Sequence, residues 1–321
     1  MLLSHMSYSR IPDFDQIVDR INLPVLQQRK IESQLLYNVL RTSSDPLGRT
    51  LAERLNTCCD YRQYAMYPNL HTGQWDFHLE QVHRCKLLHC PLCGANRSNA
   101  WLDRFRAKIP ILKNDYKLCK FLFITIGQRN CHLLELGNEI SRMNHGYGRW
   151  AQRKPFDRAF GWIKSFHVTE GDRSSILWTP NTAHPHIHVL ACVPGNFKVD
   201  SEIKSHLRTA WRGVMGLDYD PTFDLEVLNK KGDKYDAALA VLRYMTTPIS
   251  LLKMEPDWAK GYVLQTRGHR FISSGGVLRG EDEKDTMIHI PAPAGLGGLT
   301  VSSSWYSETK LWTPDNIYSR P

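Results

Sequence analysis

Apolar and polar positions change period several times along this chain, and the changes predict its elements. Leu118-Cys119-Lys120-Phe121-Leu122-Phe123-Ile124-Thr125-Ile126 reads as a buried strand closed by Gly127. Trp162–Thr169, Ala183–Val193 and Phe223–Val227 alternate as further strands. Helical spacing covers Asp15–Arg41, roughly His132–Arg153, and Ser201–Met215 with Leu207, Trp211 and Val214 inward. Asp233 as N-cap and Pro248 as terminator bracket one more helix. Strands interleaved with helices imply an α/β sandwich with helices over an open sheet. Asp172–Thr182 is expected as a loop and residues 281–321, rich in Gly, Pro and Ser, as an irregular tail. No internal repeat is visible.

The strand at Ala183–Val193 carries the chemistry. Its sequence is Ala-His-Pro-His-Ile-His-Val-Leu-Ala-Cys-Val. Side chains on a strand alternate, so His186 and His188 share one face while Ile187 and Val189 point to the other. A single strand histidine is ordinary packing. Two on one face, with His184 in line behind them, can chelate a divalent metal and leave room for substrate oxygens.

Composition narrows the class. The 321 residues carry a formal net charge of +9, which favours an anionic partner, nucleic acid first. No apolar run reaches membrane-spanning length and the first residues lack the regions of a signal peptide, so a cytoplasmic protein is expected. Its eight cysteines are then reduced thiols or metal ligands rather than disulfides. Residues 50–105 group Cys and His in short segments, with Cys85 five residues before the Cys90-Pro91-Leu92-Cys93 knuckle. Tight Cys pairs suit tetrahedral zinc, with Cys58 or Cys59 as fourth ligand and His83 and His89 behind. Buried free thiols or a redox dithiol are the alternatives. The expected organisation is an extension at 1–49, a zinc-binding segment at 50–105, a catalytic domain at 106–280 and the tail at 281–321.

The helix from Asp233 to Pro248 offers Tyr235 and Tyr244. Nine residues are about two and a half turns, so the two lie on opposite faces and only one can serve a site. A phenol can attack a phosphodiester when a metal polarises the phosphate.

Taken together these segments resemble the rolling-circle plasmid replication initiators of the HUH endonuclease superfamily. The likeness runs from about Cys58 to Arg279. Phe123-Ile124-Thr125-Ile126 is similar to the family's first motif, and His184-Pro185-His186-Ile187-His188 to its metal motif. Arg243-Tyr244 is similar to the basic-Tyr pair that carries the nucleophile, and Cys90-Pro91-Leu92-Cys93 to an upstream segment. Arg267-Gly268-His269-Arg270-Phe271 with Ser274-Gly275-Gly276 resembles a late Arg- and Gly-containing segment.

The resemblance implies an α+β fold: an open antiparallel sheet flanked by helices, preceded by the Cys-rich zinc segment. It implies a nicking-closing enzyme for single-stranded or hairpin origin DNA, with host helicase and polymerase as partners. Tyr244 takes the nucleophile's place, and His167 falls where the family has a carboxylate ligand, joining His186 and His188 around Mg²⁺ or Mn²⁺. Glu170 is the fallback ligand. Cys58, Cys85, Cys90 and Cys93 form the expected zinc set, and Arg97, Arg243, Arg267 and Arg270 the expected DNA contacts. One departure matters: Ala240 stands where the family often has a Glu one turn before the tyrosine, leaving the last cleavage to Asp236, to a residue elsewhere or to a second transesterification. The competing readings are a single-strand transposase or relaxase, a non-catalytic zinc module that binds nucleic acid, and a metallohydrolase.

Overall fold

The computed structural model describes residues 12–69, 72, 74–171, 179, 181–228, 233–280 and 299–319. Three helices open the chain, α1 (Phe14–Ile21), α2 (Pro24–Leu40) and α3 (Pro46–Asn56). The single helix expected over Asp15–Arg41 is divided, because Pro24 has no N–H to continue α1 and instead starts α2 in its first turn. Strands β1 (Tyr61–Pro68) and β2 (Trp75–Val82) precede the long helix α4 (Pro91–Asp115). Then come β3 (Lys120–Gly127), the two-residue β4 (Cys131–His132), α5 (Leu136–Trp150), β5 (Gly161–Glu170) and β6 (Thr182–Val193). The chain continues through α6 (Ser201–Met215), β7 (Phe223–Val227), α7 (Lys234–Thr246), α8 (Pro256–Gln265) and β8 (Ile272–Gly276). It ends in β9 (Leu299–Tyr306) and β10 (Leu311–Ser319).

Contacts divide the chain into two units, Met1–Cys93 with Glu283–Pro321, and Gly94–Asp282. The first holds a four-stranded sheet in the order β10-β9-β1-β2. Residues 299–319 are thus paired strands rather than the irregular chain expected of the tail. Val301 and Leu299 pack with Met66 and Ile17, so distant apolar partners order a segment whose local composition reads as loop.

The second unit is built on the order β7-β3-β6-β5-β8, with β4 added beside β6. Every pairing is antiparallel, so the helices do not act as crossovers between parallel strands. That is the mixed helix and antiparallel sheet expected of the α+β class. Pro185 falls in the gap between the β3 and β4 pairings of β6, where a missing N–H costs no ladder bond. Helix α6 keeps its expected bounds, with Asp200 capping Ile203 and Gly216 turning the exit at φ 62°. Leu207 and Trp211 are buried, with Met215 rather than Val214 completing the inner face. Asp172–Thr182, the expected loop, lies largely outside the described residues. No helix among the described residues is long and apolar enough to cross a membrane.

Helix α7 lies on the sheet face formed by Phe121, Ile163, Leu190 and Cys192, burying Tyr235, Ala238, Leu242 and Met245 there. Leu190 is fully buried at the centre of that layer. Truncating it, Leu190→Ala, should cost about 2–5 kcal/mol of unfolding free energy, read by urea denaturation.

Candidate functional site

Three histidines meet on the α7 face of the sheet because of strand register. His167 of β5 stands directly opposite His186 of β6, and Ser165 opposite His188, which puts His167 and His188 on a diagonal. One nitrogen from each ring lies within 4.8 Å of the others. The remaining nitrogens are occupied. His167 donates its Nε2–H to the Met245 carbonyl at 3.0 Å, so its Nδ1 faces the cluster. His186 donates Nδ1–H to the His184 carbonyl at 3.3 Å. The His188 Nδ1 meets the Thr125 hydroxyl at 3.1 Å, and its ring stacks on Phe123. The two carbonyl bonds select the tautomers of His167 and His186 that turn bare nitrogens toward one point, as metal-bound histidines require, while the Thr125 hydroxyl can donate to or accept from His188.

Burial keeps the rings neutral. It lowers the His167 pKa, and with neighbouring imidazoles it lowers His186 to about 4 and His188 to about 3. Neutral imidazole is the form that binds metal.

Tyr244, on the last turn of α7, is 54% exposed, and its hydroxyl lies 3.4 Å from His188 Nε2. Its ring is 5.3 Å from both His167 and His188. Tyr235 is buried against Phe121 on the other side of the helix, away from the histidines. Helix α7 and His167 are therefore joined directly, since the carbonyl of the residue after Tyr244 holds the ring. Arg243 is exposed beside Tyr244, and Arg97 on α4 adjoins Ser98, whose hydroxyl bonds Thr246 at 2.7 Å. Arg267 and Arg270 are exposed before β8, and the charge of Arg270 helps burial lower Lys164 to about 8. Glu170 is outside the cluster, its carboxylate accepting the Glu255 N–H. Ala240 is exposed one turn before Tyr244. Asp236 follows the same stripe but lies eight residues away, about 12 Å of helix rise, too far to stand in for a base there. His184 bonds Asn130 at 3.1 Å, a partner with no signal in the local pattern.

A second group forms in the first unit. Cys58, Cys85, Cys90 and Cys93 bring their sulfurs within 4.8 Å of one another. Separations are 3.5 Å for Cys58–Cys90, 3.6 Å for Cys58–Cys93 and 3.7 Å for Cys85–Cys93. A tetrahedron with metal–sulfur bonds of ~2.3 Å has edges of ~3.8 Å, close to these three separations, so the group is of a size to take an ion. Of the two candidate fourth ligands, the geometry selects Cys58. Cys59, at φ 60°, donates its N–H to the His83 carbonyl, and its sulfur lies 3.9 Å from Cys58 Sγ without joining the group of four. The His83 ring is engaged by the Thr57 carbonyl at 2.9 Å. Buried Lys30 organises this turn, donating to the carbonyls of Asn56 and Cys58 and pairing with Asp60.

Residues 76–291, about two thirds of the chain, match the family model described as replication protein. The chain belongs to the replication protein family. It is 30% identical over 190 residues to Protein rep of a Bacillus species, covering 59% of this chain and 58% of that protein. With Protein rep of Bacillus amyloliquefaciens it shares 30% over 176 residues, 54% and 49% of the two chains. With that of Lentilactobacillus hilgardii it shares 24% over 270 residues, 79% and 80%. The chain thus spans only about half of the two Bacillus relatives. No solved structure matches it.

Cys90→Ser should lower the metal content of this replication protein, read by elemental analysis, and its melting temperature by several degrees, whereas Cys59→Ser should leave both unchanged. The histidine cluster predicts an acid response. An unfolded histidine takes up a proton near pH 6.5, while folded His186 and His188 resist until about 4 and 3. Unfolded chain then binds more protons across this window, so stability falls as pH drops below about 6.5 and levels off above it. Melting curves should show this slope with no divalent ion added, and His186→Asn should flatten it.

Proposed function

We propose that this chain initiates rolling-circle replication of a plasmid, nicking and rejoining single-stranded or hairpin origin DNA through a covalent link to Tyr244. The observation that carries the reading is the Tyr244 hydroxyl 3.4 Å from His188 Nε2, inside a group of three neutral imidazoles. His167, His186 and His188 hold a divalent cation, which when bound neutralises charge on the scissile phosphate. An all-nitrogen set without a carboxylate fits Mn²⁺ better than Mg²⁺, which prefers oxygen donors. The four thiolates of Cys58, Cys85, Cys90 and Cys93 hold structural Zn²⁺.

Tyr244 is exposed enough to meet a DNA strand and is held by α7 against His167. Its oxygen forms a bond to phosphorus as the bond from phosphorus to the 3′-oxygen breaks. The phenolic proton is lost and a free 3′-OH is left for a host polymerase, with a helicase opening the duplex. Because the 5′-phosphotyrosine keeps the phosphodiester energy, attack by a 3′-OH on the same phosphorus reseals the strand. Arg243 flanks the tyrosine, and Arg97, Arg267 and Arg270 supply backbone contacts whose strength falls with salt. With Ala240 beside the tyrosine, release by a second transesterification fits better than activated water. The protein acts in the cytoplasm, where its thiols stay reduced.

Tyr244→Phe, incubated with labelled single-stranded origin DNA and Mn²⁺, should form no covalent adduct while binding the DNA normally. Persistence of the adduct would exclude Tyr244. DNA binding without any nick by the unmodified chain would instead favour a non-catalytic zinc module.

A further inference from the structure

A second sulfur centre lies under the opposite end of α7. Cys119, just before β3, is 4% exposed and Cys192 of β6 is fully buried. Cys192 is paired with Phe121, so Cys119 is its next neighbour on the same sheet face. Above them Lys234, the first residue of α7, places its ammonium 3.6 Å from the Cys119 sulfur and donates to the carbonyls of Cys119 and Lys117 at 2.8 and 3.1 Å. Lys234 makes no ion pair among the described residues, so the sulfur is the group it can stabilise as an anion. The neighbouring Cys192 thiol and the Lys234 charge pull Cys119 down to about 6, and Cys192 is pushed up by its neighbour and burial.

We propose that Cys119 and Cys192 form a reversible modification site, a thiol pair that hydrogen peroxide closes to a disulfide under Lys234. The roles are unequal. Cys119, beside the ammonium, is the attacking thiolate, and Cys192 resolves. Thiolate attack on one peroxide oxygen breaks the O–O bond, giving Cys119 sulfenic acid and, after proton uptake, one water. The Cys192 sulfur then attacks the Cys119 sulfur and expels a second water. Two thiols and one peroxide thus become one disulfide and two waters. Leu118, one residue earlier, is 85% exposed, so the sulfur lies just beneath the surface, within reach of a small uncharged oxidant. Tyr244 is ten residues further along α7, about 15 Å away, so the pair is separate from the histidine site.

The test treats the full chain, as purified with its metals, with hydrogen peroxide, blocks remaining thiols and maps peptides by mass spectrometry. A Cys119–Cys192 linked peptide that a dithiol reductant removes is expected. Lys234→Met should slow its formation by about tenfold, and Lys234→Arg should restore it. Cys192→Ala should leave Cys119 as a sulfenic acid that a dimedone probe labels. Circular dichroism melts show that each variant is folded before comparison. The proposal is overturned if both thiols stay free while other cysteines oxidise, or if folded Lys234→Met forms the link at the unmodified rate.

Discussion

The register between β5 and β6 is the constraint on which the histidine cluster depends. Pairing His167 with His186 places one ring opposite another, and the pleat carries His188 to the same face. A slip of one residue would send His167 to the far side of the sheet and leave two histidines with no third. What holds the register is mostly apolar. Leu190 and Cys192 on the helix side, and Ile187, Val189 and Ala191 on the other, are all buried, so any slip would drive them out of both layers. The chemistry of the site is therefore positioned by residues that take no part in it.

That arrangement is electrostatically costly, which suits its use. Three imidazoles crowded into a partly desolvated pocket resist protonation, and bonds to the Met245 carbonyl, the His184 carbonyl and Thr125 orient them for a shared cation. The Met245 bond does two jobs. It sets the tautomer of His167 and pins the last turn of α7, so His167 and Tyr244 keep a fixed relation. The four cysteines solve a related problem differently. Their sulfurs are drawn from the turn at Cys58, from Cys85, and from the knuckle at Cys90 and Cys93, with the buried charge of Lys30 spent on the carbonyls of the first turn.

Much of this was legible beforehand. His186 and His188 share a face by strand period alone, and the nine-residue spacing of Tyr235 and Tyr244 puts them on opposite sides of a helix. Cys90 and Cys93 announce a thiolate turn through their spacing. Where local reading failed, long-range packing or a single proline was responsible. Strands β9 and β10 exist because Leu299 and Val301 find Met66 and Ile17 far away in sequence. The break before α2 follows from the missing N–H of Pro24.

Residue order by itself thus determined which side chains share a face, because strand and helix periods are properties of the backbone. It could narrow the fourth sulfur to Cys58 or Cys59, since neighbours on a turn differ only in the direction they finally take. Choosing Cys58 and turning Tyr244 rather than Tyr235 toward the histidines were decided only by tertiary structure. Each depends on where two segments remote in sequence meet, and that position is set by the burial of both at once.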